Sequence, residues 1–362
     1  MSAPDALNRL IQRQMTAAGG WLAFDRFMAM ALYAPGSGYY SGPLRKLGLM
    51  PESGSDFVTA PELSPWFGRA LAQAVGEALA RTSTTEVWEF GAGSGALALH
   101  LMGVLGERVS TYHIVDLSGS LRLRQQDTLH AYAGRIVWHD ELPEQFSGVV
   151  VGNELLDAMP IQLLVRRSGL WHERGVIATE DAQHPWAWSD RPTTLCPPVE
   201  VEGDHDYLTE IHPQAEAFVR TLAQRLKAGA VFLIDYGFPE REYYHPQRHM
   251  GTLMCHQGHL SDPDPLVSVG AKDITTHVNF TGIAWAAQEA GMAVLGYTSQ
   301  ARFLINCGLV DLLQDASLQE RAMAQKLLTE HEMGELFKVI ALGVGEPWEP
   351  LGFTQGDRTH TL

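Results

Sequence analysis

Asn153, Glu154 and Asp157 place an amide and two carboxylates within five positions of "VVVGNELLDAMP", directly behind an apolar run. Acids grouped in this way can bind a cation, hold a planar guanidinium by paired hydrogen bonds, or take up a proton during group transfer. The plain structural alternative is a cap, since Asn and Asp are suited to start a helix over "ELLDAM". A cap needs only one such side chain, so a functional role is expected as well. A second group lies upstream in "EFGAGSG", residues 89–95, with Gly91, Gly93 and Gly95. Between a strand and a helix, such glycines let the backbone turn sharply and bring the free amides of the helix start against a polar or anionic group.

Two ligand classes fit that turn. Gly91-x-Gly93-x-x-Ala96 also satisfies the nicotinamide dinucleotide fingerprint, and Asp116, roughly twenty residues on, suits ribose hydroxyls in either case. Glu89 separates them. A carboxylate two residues before the first glycine repels a pyrophosphate and welcomes the amino group and sulfonium of S-adenosylmethionine. Asp140 in "HDELPEQ" is placed either to accept from an adenine amino group or to be a solvated loop acid. S-adenosylmethionine is therefore the expected cofactor, with a nicotinamide oxidoreductase as the alternative.

These groups need a scaffold that brings strand ends together. From residue 86 the chain alternates "TEVWEF", a helix over "ALALHLMGVLG", "TYHIVDL", a helix over "SGSLRLRQQDTLHAYA", "RIVWH" and "GVVVGN". Strands separated by helices predict a parallel sheet covered on both faces, and a valine run at residues 149–151 fits a strand buried on both sides. Ligands in such sheets lie outside the carboxyl ends of the strands, so the glycine turn and the acids after "GVVVGN" share one crevice. The fold class expected is α/β, a Rossmann-like sheet with a helical N-terminal segment and an inserted hairpin and loop subdomain. Residues 1–84 read as helices around an irregular Gly- and Pro-rich stretch that includes Tyr40. Core residues are expected at 85–160 and 209–345, a hairpin insertion at 161–208, a second irregular insertion at 238–272 and a tail at 346–362.

Composition limits the partners. The 362 residues carry 42 acidic against 26 basic side chains, a formal charge of −16, which argues against a nucleic-acid partner because phosphate binding needs clustered Lys and Arg. Cys196, Cys255 and Cys307 are widely spaced and odd in number, so a reducing bacterial cytoplasm is expected. No run approaches the roughly 18 apolar residues of a membrane span. His245, His249, His256 and His259 fall in a Pro-rich stretch, so no metal is expected. Asp273 and His277 in "KDITTHVNF" are further candidates to line the pocket, as is Tyr40.

Six blocks, "FDRFMAMALYAPGSGYYS", "DFVTAPELSPWFGRALA", "EFGAGSGALA", "VVGNELLDAMP", "LIDYG" and "DITTHVNFTGIA", resemble the MidA-like class I methyltransferases, over about residues 20 to 343. The resemblance implies a class I methyltransferase sheet and an S-adenosylmethionine-dependent enzyme. A mitochondrial relative in that family makes symmetric dimethylarginine on a complex I subunit, which implies a protein substrate, a respiratory-complex subunit among the candidates; a homodimer is left open. By matching position, Gly91, Ala92, Gly93 and Gly95 would form the methionine-side turn, and Asp116 with Leu117 would hold the ribose. Thr59, Pro61 and Glu62 of "DFVTAPE" would close over the cofactor, and Asn153, Glu154 and Asp157 would face the acceptor as catalytic residues. Where relatives tend to show Arg-Gly-Thr-Leu-Arg, this chain has Met250-Gly251-Thr252-Leu253-Met254, with Arg248 close by, and "MPESGSDF" is also altered. The departures bear on the acceptor. Alternative readings are methyl transfer to another protein side chain or small molecule, and an assembly factor that binds the cofactor without turnover.

Overall fold

The computed structural model describes residues 3–42, 58–116 and 119–362. Its centre is a sheet whose strands we number β1 (Glu86–Phe90), β2 (Thr111–Val115), β3 (Ile136–His139), β4 (Phe146–Asn153), β5 (Leu226–Phe238), β6 (Ala293–Ser299) and β7 (Phe337–Val344). Their order across the sheet is β6-β7-β5-β4-β1-β2-β3. Strands β1 to β5 are mutually parallel, as the βα alternation predicts. The final strand β7, to which the sequence assigns no direction, runs antiparallel to both β5 and β6. A strand buried on both faces reads as the same apolar run in either direction, so its sequence carries no sign of its polarity.

The valines of β4 show why this strand is continuous in hydrophobicity. Val149 and Val151 face a core built with the helices Pro65–Thr82 and Ala96–Leu105, while Val150 faces the opposite core with Leu222, Phe280 and Ile283. All three valines are fully buried, each contributing about 1.5–3 kcal/mol of apolar transfer. Helices therefore cover both faces, and function is left to the strand ends.

The insertion at 161–208 is larger than a hairpin. Gln162–Arg167 and Leu170–Ala178 do form the expected pair, but Trp186–Pro192, Tyr207–Ile211 and Leu22–Ala23 join them in a five-stranded antiparallel sheet. This sheet shares a core of Phe24, Phe27, Leu163 and Trp186 with the helices Ala3–Ala17 and Phe24–Tyr33. Among the described residues Trp186–Pro192 pairs only with Leu170–Ala178, which makes it an edge strand there, where a terminal proline is tolerated. Residues 238–272 are also more ordered than the sequence suggests: Met254–Gln257 and Leu260–Asp262 form a small sheet with Asp273–Thr275. The expected tail at 346–362 is packed, with Phe353 buried and Asp357 Oδ1 accepting from the Tyr297 amide at 3.0 Å. Among the described residues no helix is long and apolar enough to cross a membrane.

Candidate active site

The carboxyl ends of β1, β2, β4 and β5 open onto one cavity of about 1350 Å³. Gly91 and Gly93, at φ 65° and 54°, fold the chain sharply after β1, and with Ala92 they line the cavity wall. Gly95 does not line it. It sits at φ 86° as the N-cap of Ala96–Leu105, its N–H bound to the Ala92 carbonyl at 2.8 Å, so it shapes the turn from behind. Asp116 follows β2 and faces the cavity. Its Oδ2 accepts from Gln125 Nε2 at 2.9 Å, and the same nitrogen donates to the Gly93 carbonyl at 3.1 Å. Trp138 Nε1 completes the amide by donating to Gln125 Oε1 at 3.0 Å. One fully buried glutamine thus ties the glycine turn to the acid after β2.

Glu89 lines the cavity but is nearly enclosed, accepting from the Tyr112 hydroxyl at 2.7 Å. Burial pushes its carboxyl up to about 8, so the ionised form at neutral pH calls for a cation opposite it. Asp140 is at the exposed rim, paired with Arg122 at 3.0 Å. Thr59, Pro61 and Glu62 line the cavity from above the turn, and the Ser94 hydroxyl donates to Glu62 Oε1. Leu117 lies outside the described residues, as do Asp56 and Phe57 of the "DFVTAPE" block.

After β4 the backbone forms a tight turn and no helix, which overturns the capping alternative for Asn153 and Asp157. The amides of Leu155, Leu156 and Asp157 instead converge on Asp235 Oδ2 at 3.1, 2.8 and 3.3 Å, while Asp235 Oδ1 takes the Tyr236 amide at 3.1 Å. Glu154 sits at φ 50°, a left-handed conformation that costs a glutamate on the order of 1 kcal/mol or more and that the surrounding bonds impose. Its amide donates to the Ile234 carbonyl at 2.9 Å, and its Oε1 accepts from Asn153 Nδ2 at 3.1 Å. The Tyr236 hydroxyl donates to Asp157 Oδ2 at 2.5 Å. Asn153 Oδ1 and Asp157 Oδ1 are buried without a hydrogen-bond partner among the described residues.

Burial, then the neighbouring Asp157, lifts Glu154 to about 8. Burial likewise lifts Asp157 to about 6, the Tyr236 hydroxyl opposing it, and raises Asp235 despite its four N–H donors. Around them stand Tyr40, whose hydroxyl donates to both oxygens of the buried Asp273 at 2.9 Å, and Tyr33, stacked on Tyr40 with centroids 5.5 Å apart. His277 also faces the cavity; burial, then Arg248 and Lys338, depress it to about 4. Sequence reasoning singled out Tyr40, Asp273 and His277 but not Asp235, Tyr236 or Gln125. A signal for Asp235 was present: an acid inside the otherwise apolar "VFLIDYG" of a central strand has to serve something.

Glycines without side chains beside the cavity, acids at four strand ends and two buried oxygens without a partner among the described residues fit a ligand that brings ribose hydroxyls and positive charge. A family model described as "Putative S-adenosyl-L-methionine-dependent methyltransferase" matches residues 67–298. The chain belongs to this family. A protein from Burkholderia thailandensis, solved bound to S-adenosyl-homocysteine, is 48% identical with a TM-score of 0.95, over 99% of this chain and 97% of that one. A second Burkholderia thailandensis structure is 46% identical with a TM-score of 0.91, again over 99% and 97%. "Protein arginine methyltransferase NDUFAF7, mitochondrial" of Danio rerio is 26% identical over 93% of this chain and 87% of the relative. The human protein of the same name is 25% identical over 89% and 80%. The methyltransferase is thus S-adenosylmethionine-dependent, as the acid before the glycine turn suggests.

Proposed function

We propose that this methyltransferase acts on a guanidinium nitrogen of arginine in a protein substrate, with Asn153, Glu154 and Asp157 as its catalytic residues. The observation that carries the reading is the pair of carboxylates at the end of β4, one strand from the glycine turn: Gly152 is in register with Phe90 of β1. The names of the relatives, at about a quarter identity over most of the chain, support it. S-adenosylmethionine, when bound, supplies an electrophilic methyl group.

The chain's own residues then have three tasks. Glu154 and Asp157 hold the planar guanidinium by charge-assisted hydrogen bonds and draw its positive charge away from the attacking nitrogen. Tyr236 occupies Asp157 Oδ2, leaving Oδ1 for the substrate, and the orphaned Asn153 Oδ1 accepts a further N–H. As the new N–C bond forms at the expense of the methyl–sulfur bond, whose electron pair stays on sulfur, that nitrogen loses a proton, and Glu154, at about 8 the stronger base of the two, receives it. Thr59, Pro61 and Glu62 shield the cofactor side from water.

The test is transfer of labelled methyl groups into protein, followed by amino-acid analysis for methylarginines, with arginine-bearing respiratory-complex subunits as the first substrates. Glu154→Ala and Asp157→Ala should each lower turnover about a hundredfold while S-adenosylmethionine affinity, read by calorimetry, stays within a few-fold. Unchanged turnover in both would remove the assignment, and label on another side chain would replace arginine as the acceptor.

A further inference from the structure

The side chain of Arg248 lines the same cavity, and histidines aside, every other charged residue described in its lining is a carboxylate. Its guanidinium lies over the ring of Phe238, 3.7 Å from the centroid, with no side-chain hydrogen bond or ion pair among the described residues. A guanidinium stacked on a ring keeps its N–H donors directed outward in its own plane, so the edge that recognises a carboxylate is free. The segment carrying it is held firmly. Buried Glu210 accepts the amides of Thr252 and Leu253 at 2.7 and 3.0 Å, and the Arg248 carbonyl accepts the Gly251 amide at 3.3 Å.

Sheet order decides which ligand this edge faces. Phe238 ends β5, the glycine turn follows β1, and β4 with its acids runs between them. In register, the turn after Phe90 lies level with Asn153 and Ile234, so Phe238, with Arg248 over it, stands two strands across and four residues further out along β5, with Glu154 and Asp157 following the strand between. We propose that Arg248 is a carboxylate-binding subsite for the methyl acceptor, selecting arginines that have an acidic residue close by in the substrate chain. The proposal rests on the arginine-acceptor reading above. The other source of the same chemistry is the α-carboxylate of the cofactor, and the measurement separates the two.

Dye-labelled glycine-based heptapeptides with a central arginine are titrated into enzyme saturated with S-adenosylhomocysteine, and binding is read by fluorescence anisotropy. Aspartate is walked through the six other positions, each peptide paired with its asparagine counterpart. A chain of net charge −16 repels an incoming carboxylate, so a gain at one position cannot come from the overall field. The expected result is one position at which aspartate binds about tenfold tighter than asparagine, with the gain falling as salt rises. Arg248→Met should erase that gain and leave the asparagine peptides within about twofold, while Arg248→Lys keeps part of it. A gain at no position, or one that survives in Arg248→Met, overturns the subsite. Failure of every peptide to bind the wild type would sink the arginine reading and the subsite together. Loss of S-adenosylhomocysteine affinity in Arg248→Met would assign the carboxylate to the cofactor and overturn the acceptor role.

Discussion

Glu154→Gln should stabilise the folded enzyme while disabling it, and the stabilisation should grow with pH. Glu154 is buried enough that its carboxyl rises from an ordinary 4.5 to about 8. Between those values the unfolded chain has released the proton and the native state still holds it, so wild-type stability falls as pH rises, by about 1.4 kcal/mol per unit. The loss is complete above pH 8, where the native glutamate is ionised as well. From pH 5.5 to 8 this ceiling is about 3.4 kcal/mol, and solvent reaching a cavity of this size reduces it to about 2 kcal/mol. Glutamine is isosteric, keeps an acceptor for Asn153 Nδ2 and the same left-handed backbone, and titrates nowhere. Asp157, lifted to about 6, titrates in both proteins. Urea unfolding of cofactor-free wild type and variant, followed by tryptophan fluorescence from pH 5.5 to 8.5, should therefore show the variant's advantage growing by about 2 kcal/mol between pH 5.5 and pH 8. A difference independent of pH, or a variant less stable than wild type at pH 8, would refute the burial argument and with it the assignment of Glu154 as the base.

Two other substitutions test the supporting residues. Gln125→Leu removes the amide that joins Asp116 to the Gly93 carbonyl, and calorimetry should show S-adenosylmethionine affinity falling about ten- to a hundredfold with turnover at saturation within a few-fold; unchanged affinity would reduce Gln125 to a core residue. Tyr236→Phe takes away the hydrogen bond that holds Asp157 down, so the acidic limb of the kcat/KM profile should move to higher pH, with activity about five- to tenfold lower at pH 6.5 and partly recovered at pH 8. A profile that drops evenly at all pH values would contradict that coupling.

Much of this site is legible along the chain because its parts are local. The glycine turn, the acid before it and the carboxylates after β4 each sit where a buried strand meets the crevice, and the alternation of strands and helices marks those ends. The structure changes what the residues do more than where they lie. Asn153 and Asp157 look like caps in sequence, yet the turn they occupy is organised by Asp235, some eighty positions later, through the parallel pairing of β5 with β4. The small sheets at 161–211 and 254–275 are weakly marked in the sequence for a related reason: short, edge-type or proline-ended strands have weak periodicity and are recruited by partners distant in sequence.

Hydrophobic periodicity and glycine placement act within about ten residues, and they were sufficient by themselves to determine an α/β sheet, a nucleotide-type turn after β1 and acids at the end of β4. The direction of β7, the bond from Tyr236 to Asp157, the three amides on Asp235 and the placement of Arg248 over Phe238 depend on which strands lie side by side. That choice belongs to the packed sheet as a whole, because burial raises the basicity of a carboxylate only once distant segments have closed around it.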